Sequence, residues 1–264
     1  MLRMLPILNA VTKVHPKNLG EQATRDAVMN MLKTWNTPYL DAVLLHYLEC
    51  HDHIADCKGK TNGDWKGAWR ALEKLYEEKL VRAIGVSNLI GKEDVFAFYA
   101  HAKIKPHIVQ NWMDPFRQWH DEYLYAIDGG AVYMAYSTLG EQWSSMEWVG
   151  KNLVMQSPTL NAMAAKRNVS VATIVLAWAL HHPKLVIIPR STNPAHIEEN
   201  AQLLNPDYVA GILTEEEVAR IDEMDGKFDL SDKATCAKMK ASGGCNDENP
   251  EVEMCLATCQ NVEW

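Results

Sequence analysis

Apolar and polar positions along this chain switch repeatedly between two spacings. Short β-branched or apolar runs at Leu8–Val14, Ala42–His46, Ala83–Val86, His107–Gln110, Val132–Tyr136 and Leu185–Pro189 read as six strands. Helical patterns follow them. Val28, Met31, Leu32 and Trp35 fall at i, i+3, i+4 and i+7 on one face, and Trp65, Ala68, Trp69 and Leu72 repeat that spacing. Val171, Ile174, Val175 and Trp178 do the same behind Ser170, whose hydroxyl suits a helix N-cap. The tryptophans are read as core, since burial alone accounts for them. Strand–helix alternation predicts a parallel α/β architecture rather than a bundle or a sandwich. No short-period repeat or low-complexity linker interrupts Thr12 to Phe228, so residues 1–228 are expected to form one domain. Beyond it, Gly243-Gly244 and Asn246 to Pro250 break any periodicity, and residues 229–264 read as a terminal tail or long loop.

Composition narrows the function classes. The 264 residues are 47% hydrophobic and 23% charged, enough to bury a sizeable core. The formal charge of −8, with no cluster of Lys or Arg, argues against a nucleic-acid partner. The longest apolar runs are far short of the roughly 18 residues of a membrane span. The apolar start at Met1–Ala10 is shorter than a signal peptide of about 15–30 residues. A cytoplasmic protein without membrane partners is the expectation. Of the six cysteines, Cys236, Cys245, Cys255 and Cys259 crowd into the tail without a C-x-x-C pair. Free thiols are the first reading of these and a disulfide-stapled tail the rival; no metal site is expected.

Polar residues close every expected strand. Lys13 ends the first, His46 the second, Ser87 and Asn88 follow the third, Gln110 ends the fourth, Tyr136 and Ser137 the fifth, Arg190 and Ser191 the sixth. A lone strand-end Lys or His is more often a loop charge, but six polar ends in succession are what a parallel barrel uses to assemble a site.

At this point the order of motifs resembles a known family. Trp69-Arg70-Ala71-Leu72-Glu73-Lys74-Leu75, leading to Leu80-Val81-Arg82-Ala83-Ile84-Gly85-Val86-Ser87-Asn88, is the densest match; Ala135-Tyr136-Ser137 and Ile188-Pro189-Arg190-Ser191 continue it. From Val11-Thr12-Lys13 through Asn200 the chain is similar to NADP(H)-dependent aldo-keto reductases. The resemblance implies a (β/α)8 TIM-type barrel that binds NADP(H) without a Rossmann fold, and no G-x-G-x-x-G occurs here. It further implies that Ser87, Asn88 and Gln110 hold the nicotinamide carboxamide, that Tyr136 stacks on the ring, and that Ser137 and Leu139 line the cofactor. Arg190 and Ser191 would hold the 2′-phosphate, with Glu199 and Asn200 near the adenine and His196 where many relatives have Arg. Lys13 and His46 match the catalytic Lys and His, with Asp41 at the start of the His strand.

The segment that carries the catalytic Tyr and Asp in the family has no counterpart in this sequence. The resemblance therefore implies a barrel missing its first two β/α units. Tyr39 and Tyr47 flank the His strand without the expected setting. The expected function is NADPH-dependent reduction of a small-molecule aldehyde or ketone to an alcohol, with turnover at the margin for want of the Tyr. The alternatives are a non-catalytic NADP(H)-binding barrel and a truncated fragment without function.

Overall fold

A computed structural model describes residues 10–51, 54–57, 63–118, 120–146 and 149–227. The tail and its four cysteines, and the start of the first expected strand, lie outside the described residues. The chain divides into two compact units: the first takes in the described residues within Met1–Asn111 and Trp119–Met134, the second those within Trp112–Gln118 and Ala135–Trp264.

In the first unit, strands β1 (Val11–Val14), β2 (Ala42–Leu45), β3 (Ile84–Ser87) and β4 (Ile108–Trp112) alternate with helices α1 (Glu21–Thr34), α2 (Trp65–Glu77) and α3 (Lys92–His101); α4 (His120–Asp128) precedes β5 (Val132–Tyr136). Strands β1 to β4 pair in parallel, with Lys13 opposite Leu44, Leu44 opposite Gly85 and Gly85 opposite Ile108. Every residue of β2 is buried, as expected of a parallel strand covered on both faces. Gly85 is required by close approach: a Cβ there would stand 2.4 Å from the carbonyl oxygen of Ile108 on the next strand. Val28 and Leu32 on α1, and Ala68, Trp69 and Leu72 on α2, are buried as their spacing predicts. Trp35 departs from the prediction. It lies one residue past the end of α1 and is 48% exposed.

The second unit holds α5 (Glu141–Ser145), α6 (Pro158–Arg167), α7 (Val171–Leu180), β6 (Leu185–Ile187), α8 (Pro194–Gln202), α9 (Pro206–Ile212) and α10 (Glu215–Asp222). Ser170 caps α7 by accepting from the Thr173 amide at 3.0 Å, as its position predicts. Helix α7 is buried on nearly all sides rather than along one stripe. β6 is shorter than expected, and Ile188 beyond it still donates to the Ala135 carbonyl at 3.2 Å.

The described strands form one six-stranded sheet in the order β1-β2-β3-β4-β5-β6. All six expected strands are present, shifted by up to two residues at their ends, apart from the expected start of the first at Leu8, which lies outside the described residues. The barrel expected without its first two β/α units is seen as an open parallel sheet, with β1 and β6 at its ends among the described residues. No helix of the described residues is long and apolar enough to cross a membrane.

Candidate active site

The first unit brings together five of the sequence-predicted residues, Lys13, His46, Ser87, Asn88 and Gln110. Lys13 Nζ donates to Gln110 Oε1. These side chains belong to β1 and β4, three strand spacings apart, which is about 14 Å across a flat sheet. A direct contact over that span requires the sheet to curl toward the face that both side chains share. Gln110 Nε2 in turn meets the Met134 thioether, 2.8 Å away, a weak acceptor. Burial holds the Lys13 ammonium below its ordinary pKa.

His46 follows β2, and its amide donates to the Val14 carbonyl at 3.0 Å, extending the β1–β2 ladder by one residue. Burial, then the neighbouring Lys13 and His15 charges, depress its pKa to about 4, so the imidazole is neutral at pH 7. The Tyr47 ring lies 4.7 Å from that of His46 between centroids, and burial pushes the Tyr47 phenol upward. Ser87 is fully buried at the end of β3. Asn88 after it adopts a left-handed φ of 57°, its amide donating to the Gln110 carbonyl and its side chain to the His46 carbonyl, both at 2.9 Å.

Asp41 sits at the start of β2, five residues or about 16 Å of strand from His46, where it accepts from the Ala10 amide at 3.0 Å and from Arg82 at 3.1 Å. Tyr39 lies at that end too, under the Arg82 guanidinium at 3.6 Å.

In the second unit, Tyr136 ends β5 half-buried, and its carbonyl accepts from the Met113 amide at 3.3 Å. Ser137 takes a left-handed φ of 52°, and its carbonyl accepts from the Gly140 amide at 2.8 Å. Ser137 Oγ accepts from Gln142, and the Leu139 carbonyl from Asn152 at 2.8 Å, so the turn after β5 is fixed at both ends. Arg190 is exposed after β6. Ser191 Oγ accepts from the Asn193 amide at 3.1 Å, and Asn193 caps α8. His196 lies exposed in the first turn of α8 and Asn200 one turn further on. Glu199 faces α7: it accepts from Thr173 Oγ1 at 2.6 Å. Burial raises its pKa, but hydrogen bonds from Ser170 and Thr173 outweigh this and hold it below the usual value.

Three features escaped the sequence. Asn111 is fully buried and exchanges two hydrogen bonds with the Leu89 backbone, 2.9 and 2.8 Å, anchoring the loop after β3. A polar residue next to Gln110 in a buried strand was its only signal. Cys50 and Cys57 form a disulfide in the loop after β2, a pairing that spacing alone does not specify. Asp114 is fully buried and accepts from the Trp112 and Trp143 indoles and the Phe116 amide, with the half-buried Arg117 guanidinium 4.0 Å from the Trp112 ring. A cavity of about 310 Å³ between α3 and α4, lined by Lys92, Phe96, Asp121 and Tyr125 among others, contains none of the predicted site residues. Among the described residues no group of His, Cys, Asp and Glu is arranged to hold a metal.

Polar residues at successive strand ends of a parallel α/β sheet are the means by which barrel enzymes assemble a site. The aldo/keto reductase family profile matches residues 8–225, and the chain belongs to that family of oxidoreductases. It is 33% identical over 213 residues to the 9,11-endoperoxide prostaglandin H2 reductase of Trypanosoma cruzi, covering 81% of this chain and 66% of that protein. It is 30% identical over 220 residues to aldo-keto reductase family 1 member A1 of Gallus gallus, covering 80% and 63% respectively. The chain thus spans slightly less than two thirds of the length of these curated relatives. Among solved structures it is similar to a Bombyx mori aldo-keto reductase in complex with NADP, at TM-score 0.70 and 26% identity, covering 87% of this chain and 71% of that one. An aldo/keto reductase of Brucella melitensis gives TM-score 0.64 at 27% identity, covering 81% and 72%.

Proposed function

We propose that this chain binds NADP(H) and orients an aldehyde or ketone for reduction to an alcohol. The observation that carries the reading is the Lys13–Gln110 contact beside a neutral His46. It gathers the ends of β1, β2 and β4 around polar groups that a carbonyl and a carboxamide would use. Bound NADP(H) supplies the hydride.

The residues present fit such a cofactor. The Gln110 amide is spent on a thioether, so exchanging that partner for a carboxamide oxygen costs little. Ser87 and Asn88 offer a hydroxyl and an amide at the adjoining strand end, and Tyr136, with Ser137 and Leu139 after it, offers an aromatic face for the ring. Arg190 and Ser191 stand just before the N-terminus of α8, where a guanidinium and the positive end of the helix dipole both favour a phosphate. His196 and Asn200 lie on that helix for the adenosine end. Glu199 contributes by holding α8 against Ser170 and Thr173 rather than by reaching a ligand.

A neutral imidazole donates one N–H, which suits His46 to hydrogen-bond a substrate carbonyl oxygen and its developing charge. Lys13 places a positive charge beside it. Neither described tyrosine flanking β2 suits the proton-donor role: Tyr47 is a weakened acid and Tyr39 is at the far end of the strand. These two observations favour, as second reading, cofactor binding with little turnover by the 264-residue chain. NADPH fluorescence titration and NADPH oxidation with para-nitrobenzaldehyde separate the readings. Binding with turnover at the margin of detection is expected, given that a positioned acid is worth about 10²–10⁴-fold. Robust turnover would assign a proton donor to this chain, and absence of binding would remove the proposal.

A further inference from the structure

The loop after β2 starts at the candidate site and is crosslinked a few residues later. Tyr47 packs its ring 4.7 Å from that of His46, and the His51 ring meets Tyr47 edge on at 6.1 Å between centroids. Cys50, next to His51, is joined to Cys57 by a disulfide across a sequence separation of 7. Backbone hydrogen bonds run the same way: the Ile54 amide donates to the His51 carbonyl at 2.9 Å and the Cys57 amide to the Ile54 carbonyl at 3.1 Å. Asp56, beside Cys57, pairs with Lys17 at 2.5 Å, which ties the loop to the short turn Pro16–Asn18 after β1.

Three features make this crosslink open to exchange. Cys57 is 1% exposed whereas Cys50 is half-buried, so a thiolate from solvent reaches the Cys50 sulfur first. The loop it closes is short, and the entropy that a crosslink withholds from the unfolded chain grows with loop length, so this one resists reduction less than a long-range link would. Asp56 holds a left-handed φ of 63°, a conformation that a non-glycine residue keeps only while its surroundings impose it.

We propose that Cys50 is a thiol-exchange site and that the Cys50–Cys57 disulfide is a reducible lock on the wall of the carbonyl site beside His46. A small-molecule dithiol, as its thiolate, attacks Cys50 Sγ. The Cys50–Cys57 bond breaks, a mixed disulfide forms on Cys50, and Cys57 leaves as a thiolate and takes up a proton. The second thiol of the reagent then attacks the reagent's own sulfur in the mixed disulfide. Cys50 is released as a thiol and the reagent departs as a disulfide, so two electrons and two protons have passed to the protein. The loop is then no longer closed behind His51, the Tyr47 ring loosens from His46, and water reaches the imidazole. The functional meaning of this opening rests on the role proposed above for His46.

The test uses the full chain with dithiothreitol as the dithiol. Alkylation and peptide mapping by mass spectrometry should find Cys50 and Cys57 protected before reduction and both alkylated after it, and limiting 2-mercaptoethanol should leave its adduct on Cys50. In proton NMR the His46 ring should titrate at about 4 in the oxidised chain, move toward about 6.5 on reduction, and return on reoxidation. The double variant Cys50→Ser, Cys57→Ser should titrate like the reduced chain and ignore dithiothreitol. Should it fail to fold by circular dichroism, the variant Cys236→Ser, Cys245→Ser, Cys255→Ser, Cys259→Ser replaces it and should respond to dithiothreitol as the native chain does. Alkylation of Cys50 without reductant, an adduct on Cys57, a His46 titration that reduction does not move, or a response that follows the tail cysteines would overturn the proposal. Failure of the oxidised native chain to bind NADPH would sink the cofactor reading alone, since neither the mapping nor the His46 titration uses it.

Discussion

The side-chain amide of Asn88 donates to the main-chain carbonyl of His46 at 2.9 Å, tying the end of β3 to the end of β2. The bond depends on a backbone conformation that most residues avoid: φ at Asn88 is 57°, a region that asparagine tolerates and glycine enters freely. Removing the side chain therefore has two separable costs. Asn88→Ala should destabilise the fold by about 1–3 kcal/mol, combining a lost hydrogen bond with left-handed strain. Asn88→Gly should cost less, since it loses the bond alone. Urea unfolding of the two variants checks the order, and an alanine variant as stable as glycine would contradict it.

His46 gives a pH signature of one sign. Its folded pKa of about 4 lies below the value of about 6.5 for a free histidine, so the unfolded chain takes up a proton that the folded chain refuses. This contribution to stability is complete above about pH 6.5 and is lost as pH falls toward 4. His46→Gln should flatten that part of the stability curve. Proton NMR of the His46 ring should show a neutral imidazole down to about pH 4; titration near 6.5 would contradict the burial argument.

Asp114 gives the opposite sign. Burial raises its pKa to about 7 against the lowering effect of the Phe116, Trp112 and Trp143 hydrogen bonds and the Arg117 charge. The folded state here binds the proton more tightly than the unfolded state. Its stabilising contribution is therefore present below about pH 4 and is lost as pH rises to about 7. Asp114→Asn should remove that downward slope, measured as unfolding free energy between pH 4 and 8. A slope unchanged in the variant would mean that Asp114 titrates normally.

What the sequence revealed follows from range. Strands such as Ala42–Leu45 and Val132–Tyr136 were legible because β-branched and apolar residues bounded by turn residues carry their own local signal. Ser170 was legible as a cap because it acts on a residue three places away. The strand-end residues were legible as a set, but their partners were not. That Lys13 meets Gln110 depends on curl of the sheet over strands 97 residues apart in sequence. Trp35 was misread because a helix face was extended one residue beyond the helix end. The Asp114 cluster unites residues from β4, α5 and their connecting loops, so neither periodicity nor a short motif announces it.

The cofactor assignment is tested most directly at Arg190. The guanidinium is exposed and stands three residues before the Asn193 cap of α8, so its contact with a 2′-phosphate would be solvent-screened and modest. In fluorescence titrations, Arg190→Ala should weaken NADPH about five- to tenfold while changing NADH by less than about twofold, because NADH lacks the 2′-phosphate. Equal weakening of both cofactors, or no change in either, would contradict the assignment of NADP(H) to this site.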